Sequence, residues 1–237
     1  MGQVSKRDSS MIKRVSYPSD DPTLSNCAWS KSRSMYHYDS FKNDYRFDTV
    51  VGLGRFSGEW HTAIETTINN STPHNLPEKS TFKYDYERAT GQASNSHVTF
   101  NTCFKCEPQF QKMIDSFALD LTVARINVQL TGQTCFSHVD ALDFYHGGLL
   151  NNYDQDQQQL IFIMLTDYQA GHFLQLGNKI VTHWRAGDFF TFAHGHVPHQ
   201  TANASWYPRV MIQLTGIKTA ETERFLKLAR YQKTVPI

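Results

Sequence analysis

His172-Phe173-Leu174-Gln175-Leu176-Gly177-Asn178-Lys179-Ile180-Val181 sets two short runs around a Gly-Asn pair. Apolar and polar residues alternate on either side of that pair, which predicts a tight β-hairpin rather than a helix. Working outward, Asp188–Phe192 and Arg209–Thr215 read as further strands, with Ala186-Gly187-Asp188 marking a turn before the first of them. On the other side, Leu160–Leu165 is a continuous apolar run, as expected of a strand buried on both faces. Leu121–Leu130 alternates, so that Arg125, Asn127 and Gln129 share one face. Many short strands with turns at close intervals predict a mainly β sandwich or barrel.

Helices flank these strands. Phe110, Met113, Ile114 and Phe117 recur at helical spacing behind Pro108, which suits a first turn. Ala220–Tyr231 carries Glu221 and Glu223 at its start and Arg230 at its end, as the helix dipole favours. Between Phe56 and Ile68 periodicity does not separate a short helix from a strand. Residues 1–45 are polar with scattered aromatics and read as an irregular extension, and Thr66–Ser96 is broken by Pro73, Pro77 and Gly91. The expected organisation is one domain. Residues 1–100 supply the extension and outer elements, 101–217 the β core, and 218–237 the C-terminal helix.

Composition excludes several functions. Charged residues make up 19% of the 237 positions and the formal net charge is +1, so no basic field points to nucleic acid or an anionic membrane. No apolar run reaches the roughly 20 residues that cross a bilayer. Met1–Arg7 lacks a secretory core, and Lys6 stands where a myristoylation motif needs Ser or Thr. These features predict a cytoplasmic protein, in which the Asn70 and Asn203 sequons are chance matches. Cys103 and Cys106 have CxxC spacing, but neither Cys27 nor Cys135 supplies a second pair, so reduced structural thiols are expected.

The chemistry is carried by His138-Val139-Asp140. On an extended backbone, side chains two residues apart point to one face, so an imidazole and a carboxylate reach a single ion. A third ligand must come from a neighbouring strand, and His199 stands at a suitable distance. Two histidines and one carboxylate leave open positions on an octahedral metal, the arrangement of non-haem Fe(II) oxygenases. Arg209, ten residues after His199, can return on the next strand and present a planar fork to a carboxylate. His194 and His196 lack the Asn four residues on and the Arg ten residues on that His199 has.

These residues resemble the 2-oxoglutarate/Fe(II)-dependent oxygenase superfamily. More narrowly, Trp184-x-x-Gly187, Phe192, His199-x-x-x-Asn203 and Arg209 are similar to the aspartyl/asparaginyl β-hydroxylase and free-proline hydroxylase branch. The likeness covers about Leu121 to Gly216. It implies a double-stranded β-helix, a jelly-roll of cupin type, with Fe(II) on His138, Asp140 and His199. It also implies 2-oxoglutarate as co-substrate, its distal carboxylate on Arg209, and O₂ as oxidant, with succinate and CO₂ released. Related hydroxylases often carry a basic residue on the strand matching Gln159–Leu165, where this chain has none. Gln129 or Asn127 is therefore expected as the second co-substrate anchor. The implied reaction is hydroxylation of an amino acid or peptide, contacted by Arg125, Tyr145, His146 and Trp206. Desaturation or cyclisation of a small metabolite, or a non-catalytic cupin-like barrel, are the alternatives; Asp140 argues against halogenation, whose subgroup lacks that carboxylate. Phe144–Gln159, with Gly147-Gly148 and a polar run, is expected to close over the site as a lid.

Overall fold

The computed structural model describes residues 50–70, 73–74, 98–101, 107–138, 152–154, 156–177, 179–192, 194, 197–232 and 234–235. The elements in chain order are β1 (Val50–Phe56), α1 (His61–Asn70), β2 (Pro73–His74), β3 (Val98–Asn101), α2 (Pro108–Ser116), β4 (Asp120–Gln129) and β5 (Thr134–His138). There follow β6 (Gln158–Met164), β7 (His172–Leu176), β8 (Lys179–Val181), β9 (Asp188–Phe192), β10 (His199–Asn203), β11 (Arg209–Ile217), α3 (Ala220–Gln232) and β12 (Thr234–Val235).

From β4 to β11 the chain passes back and forth between two sheets. The larger sheet has the order β12-β1-β9-β6-β11-β4-β3-β2 and the smaller the order β5-β10-β7-β8. Every pairing is antiparallel except that of β1 with β12. This alternation of eight strands between facing sheets is a double-stranded β-helix, as the resemblance implied. The larger sheet also takes in β1, β2 and β3, from the first hundred residues and Asn101, the part expected to supply the extension and outer elements. The ambiguous segment after Phe56 is a helix from His61 to Asn70.

Strand parity sorts the core into two layers. On the outer face of the larger sheet, Ala124, Ile126, Val128, Ile161, Ile163, Val210, Ile212 and Leu214 pack with Ile64 of α1, Phe110 and Met113 of α2 and Ala229 of α3. Here Phe56 lies 4.7 Å from Phe189 between ring centroids, and Phe117 lies 5.3 Å from Phe189 and 5.0 Å from Phe225. The opposite parity faces the smaller sheet. Leu160, Phe162, Met164, Phe190, Phe192 and Met211 meet Leu174 and Leu176 there. Because β6 contributes to both layers, it is buried almost throughout, which explains its unbroken apolar run.

The ends of the elements follow local rules. Pro108 opens α2. Thr219 caps α3, its hydroxyl accepting from the backbone N–H of Thr222 at 3.1 Å. The hairpin expected after Leu176 is present as the pairing of β7 with β8, with Leu176 opposite Lys179. Gly187 has φ +89°, and a Cβ there would fall 2.1 Å from the carbonyl oxygen of Phe56. Its carbonyl also accepts from the Phe56 N–H at 3.0 Å, so the turn before β9 is pinned to the end of β1. Beside it Arg55 pairs with Asp188 at 2.6 Å.

Candidate metal and co-substrate site

The two histidines singled out in the sequence meet across a strand pair. In the β10–β5 ladder Thr201 opposes Cys135 and Ala202 opposes Thr134, so a regular ladder would bring Ser137 opposite His199. One extra residue in β5 shifts the register, and His138 takes that place instead. A one-residue slip exchanges the faces of a strand, so this bulge decides which residue of β5 shares a face with His199. Opposed positions in an antiparallel ladder have Cβ atoms about 4.5–5.5 Å apart, within reach of a common ion.

His199 is 4% exposed. Its ring is flanked by Phe192, with centroids 5.0 Å apart, and Phe162, at 6.1 Å, both inclined at 66°. Its Nδ1 lies 3.5 Å from the carbonyl oxygen of Val197, at the outer limit of a hydrogen bond. A proton on Nδ1 directed at that carbonyl puts the acceptor lone pair of the ring on Nε2. Asp140 lies outside the described residues, which by themselves contain no group of three metal-binding side chains. A histidine position opposed to the aromatic-walled His199 suits the nitrogen half of a two-histidine, one-carboxylate site.

Two residues along β10 the interior becomes polar. Arg209, 2% exposed, is among the largest fully buried side chains of the described residues. Its Nε donates to Gln129 Oε1 at 3.1 Å and its Nη1 points at Met211 Sδ at 3.6 Å. Gln129 in turn donates from Nε2 to Thr201 Oγ1 at 3.0 Å. No acidic side chain among the described residues is ion-paired with Arg209. Burial brings its pKa down to about 10, with the Cys135 thiol acting in the opposite direction. The guanidinium therefore stays charged at neutral pH. A buried cation with no carboxylate against it is costly, and an incoming anion offsets that cost.

The row Arg125, Asn127, Gln129 faces inward from β4, as its alternation predicted. Asn127 Nδ2 donates to Gln213 Oε1 at 2.9 Å, and Gln129 is committed to Arg209 and Thr201. Both amides thus brace the neighbouring strands. Arg125, half-buried, opposes Gln213 at the end of the row away from Arg209. Tyr145 and His146 lie outside the described residues, as do Cys103, Cys106, His196 and positions 144–151 and 155 of the expected lid. The last two residues of that lid open β6.

Trp206 is not brought to these groups. It is 91% exposed in the turn between β10 and β11, at the other end of β10 from His199. That turn is rigid. Asn203 Nδ2 donates to the carbonyls of Gln129 and Tyr207, each at 2.8 Å, while its Oδ1 accepts from the Ser205 N–H at 2.9 Å. The Asn203 of the motif is therefore a brace for the turn preceding Arg209, and it is buried away from any glycosylating enzyme. Sequence reasoning missed Thr201 and Phe162, while Phe192 was in the motif without a place beside His199. The signal for Thr201 was present, since alternation along β10 puts it on the face of His199.

No protein-family model matches this chain, and no curated protein matches it. Solved structures do. A non-haem alpha-ketoglutarate-dependent epimerase, SnoN of nogalamycin biosynthesis, is similar over 83% of this chain and 81% of its own, at 9% identity and a TM-score of 0.51. The carbocyclase SnoK of the same biosynthesis is similar over 77% of this chain and 84% of its own, at 13% identity and a TM-score of 0.49. A cupin protein from Bacteroides fragilis covers 54% of this chain and 81% of its own, at 18% identity and a TM-score of 0.31. At such identity the likeness to SnoN speaks for the fold. The two sheets and this likeness agree that the chain is a double-stranded β-helix with flanking helices.

Proposed function

We propose that this protein is a non-haem Fe(II) oxygenase that uses 2-oxoglutarate and O₂, with His138, Asp140 and His199 as metal ligands and Arg209 as anchor of the co-substrate. The observation that carries the reading is one juxtaposition. A bulge sets His138 opposite His199, and two residues further along β10 Thr201 is joined through Gln129 to a fully buried Arg209 of β11, which has no carboxylate paired with it among the described residues. Two strand residues span about 6.8 Å, of the order of the separation between the two ends of a five-carbon diacid.

Bound iron supplies coordination positions at which 2-oxoglutarate and O₂ come together. The protein does the rest through position and environment. His199 offers Nε2 while Phe162 and Phe192 keep water from that side of the ring. Arg209 fixes the far carboxylate and with it the orientation of the 2-oxo acid group. Arg125, at the other end of the inward row, is placed to meet a polar or anionic group of the substrate, with Tyr145 and His146 from the following loop. The substrate class that fits this polar row is an amino acid, or an amino-acid side chain of a peptide, and the outcome is hydroxylation. Epimerisation, the activity of SnoN, is a second outcome on the same metal and co-substrate, as are desaturation and cyclisation.

The test is anaerobic titration of the protein with Fe(II) and then 2-oxoglutarate. A visible metal-to-ligand absorption band is expected in the wild type and none in His199→Ala. A wild type that gives neither the band nor 2-oxoglutarate-dependent release of succinate is a binding barrel, and the reading fails.

A further inference from the structure

The row that β4 turns inward ends, away from Arg209, in two facing side chains rich in donors. Arg125 opposes Gln213 in the ladder of β4 with β11, and Gln213 opposes Phe162 in that of β11 with β6. Phe162 is one of the two rings beside His199, at 6.1 Å. One row across three strands therefore leads from the histidine wall to Arg125. Neighbouring strands stand about 4.8 Å apart, which puts Gln213 about 5 Å and Arg125 about 10 Å across the sheet from Phe162. Gln213 is the one position of β11 that is not buried, and Arg125 is half-buried, so the row opens here. Asn127 sets the direction of hydrogen bonding, its Nδ2 donating to Gln213 Oε1 at 2.9 Å. With its oxygen turned to Asn127, Gln213 keeps two amide hydrogens, and no described residue accepts them. A guanidinium has donors alone.

Resting on the proposed function, we infer that Gln213 and Arg125 grip a carboxylate of the substrate, and that the reacting carbon lies within a few bonds of that carboxylate. One charged and one neutral donor side by side match the two oxygens of a carboxylate, whereas an ammonium finds no acceptor there. The short span of the row from Phe162 sets the reach. Asn127 positions Gln213 without touching the substrate. Two sources supply such a group: the α-carboxylate of a free amino acid, or the side chain of Asp or Glu in a peptide.

The experiment is calorimetric titration of the protein loaded with Mn(II) and 2-oxoglutarate. One arm sets each L-amino acid with an uncharged side chain against its amide. The other sets the N-acetyl, N-methylamide derivatives of Asp and Glu against those of Asn and Gln. In one arm the carboxylate member is expected to bind at least about tenfold more tightly, and that arm names the source. Gln213→Glu keeps the acceptor that Asn127 uses and turns a carboxylate oxygen, in place of the amide donors, toward the ligand. It should abolish the preference while the dissociation constant of 2-oxoglutarate, measured before the substrate probe is added, stays unchanged. Gln213→Leu carries the same expectation and serves if the glutamate variant does not fold. Equal binding of both members in both arms, binding in neither, or a preference that survives these variants overturns the inference. A wild type that gives the Fe(II)–2-oxoglutarate absorption band and lacks the preference removes this inference alone. One that gives neither the band nor succinate takes the proposed function with it.

Discussion

At the scale of single residues the site is defined by what Arg209 lacks. Its charge is buried, braced by one neutral amide, and beyond ion-pair reach of any acid among the described residues. Arg209→Ala is expected to raise the Michaelis constant for 2-oxoglutarate ten- to a hundredfold, since a charge-assisted hydrogen bond in a dry site contributes about 1.5–3 kcal/mol. Fe(II) affinity should change little, because Arg209 stands on β11 and is none of the proposed ligands. Arg209→Lys should recover only part, as an ammonium cannot form the planar fork. An alanine variant with reduced thermal stability and an unchanged Michaelis constant would instead mark a structural arginine. Much of this was legible in the chain. The ten-residue offset from His199 to Arg209 and the inward row Arg125, Asn127, Gln129 follow from strand periodicity alone. Trp206 shows the opposite case. It was expected at the substrate, yet the five residues of β10 and a braced turn carry it to the other end of β10 from His199.

At the scale of elements, register is what the sequence withheld. Nothing in Thr134-Cys135-Phe136-Ser137-His138 announces a bulge, because its cause lies in the partner strand and in long-range pairing. The addition of β1 to the larger sheet was hidden for the same reason. Val50–Phe56 is stabilised by pairing with β9, far along the chain, and its own pattern is interrupted by glycines. Short-range signals did better. The Gly177-Asn178 hairpin, the Pro108 start and the acidic first turn of α3 all depend on a few adjacent residues. The junction of β1 with β9 yields an element-scale prediction. Gly187→Ala places a methyl group against the Phe56 carbonyl at a positive φ, and it should cost at least about 1–3 kcal/mol. Chemical denaturation should show a lower midpoint with an unchanged m-value. An alanine variant of wild-type stability would mean that the turn relaxes freely and that β1 is not held by this contact.

At the scale of the whole molecule, one end of the barrel carries the histidine pair and the other is closed by interlocked turns, and the closed end should make stability depend on pH. His172 is central to it. The residue is 4% exposed, its ring stacks on Trp184 with centroids 5.9 Å apart and planes 5° from parallel, and Tyr168 meets it edge-on. The Gln169 N–H donates to Nδ1 at 3.2 Å, so the ring proton sits on Nε2 and points at the Tyr207 carbonyl at 3.1 Å. Its pKa is lowered chiefly by burial, with the Tyr207 carbonyl acting against that and the positive Arg209 adding to it. A depressed folded-state pKa means that the unfolded chain takes up the proton first as the pH falls. The stability contributed by neutral His172 is thus fully present above the unfolded value of about 6.5 and is lost as the pH falls through the lower folded value. Protonation would also put a hydrogen on Nδ1, facing the Gln169 N–H donor. Thermal unfolding of the wild type should therefore show a melting temperature that drops between about pH 7 and pH 5. In His172→Phe, which preserves the stacking area and removes the titration, the melting temperature should start lower but fall less steeply over the same interval. The difference between the two slopes isolates this group from His194 and His199, which both proteins share. Parallel slopes would show that His172 titrates alike in the folded and unfolded chains, and the hydrogen-bonded neutral tautomer described here would be wrong.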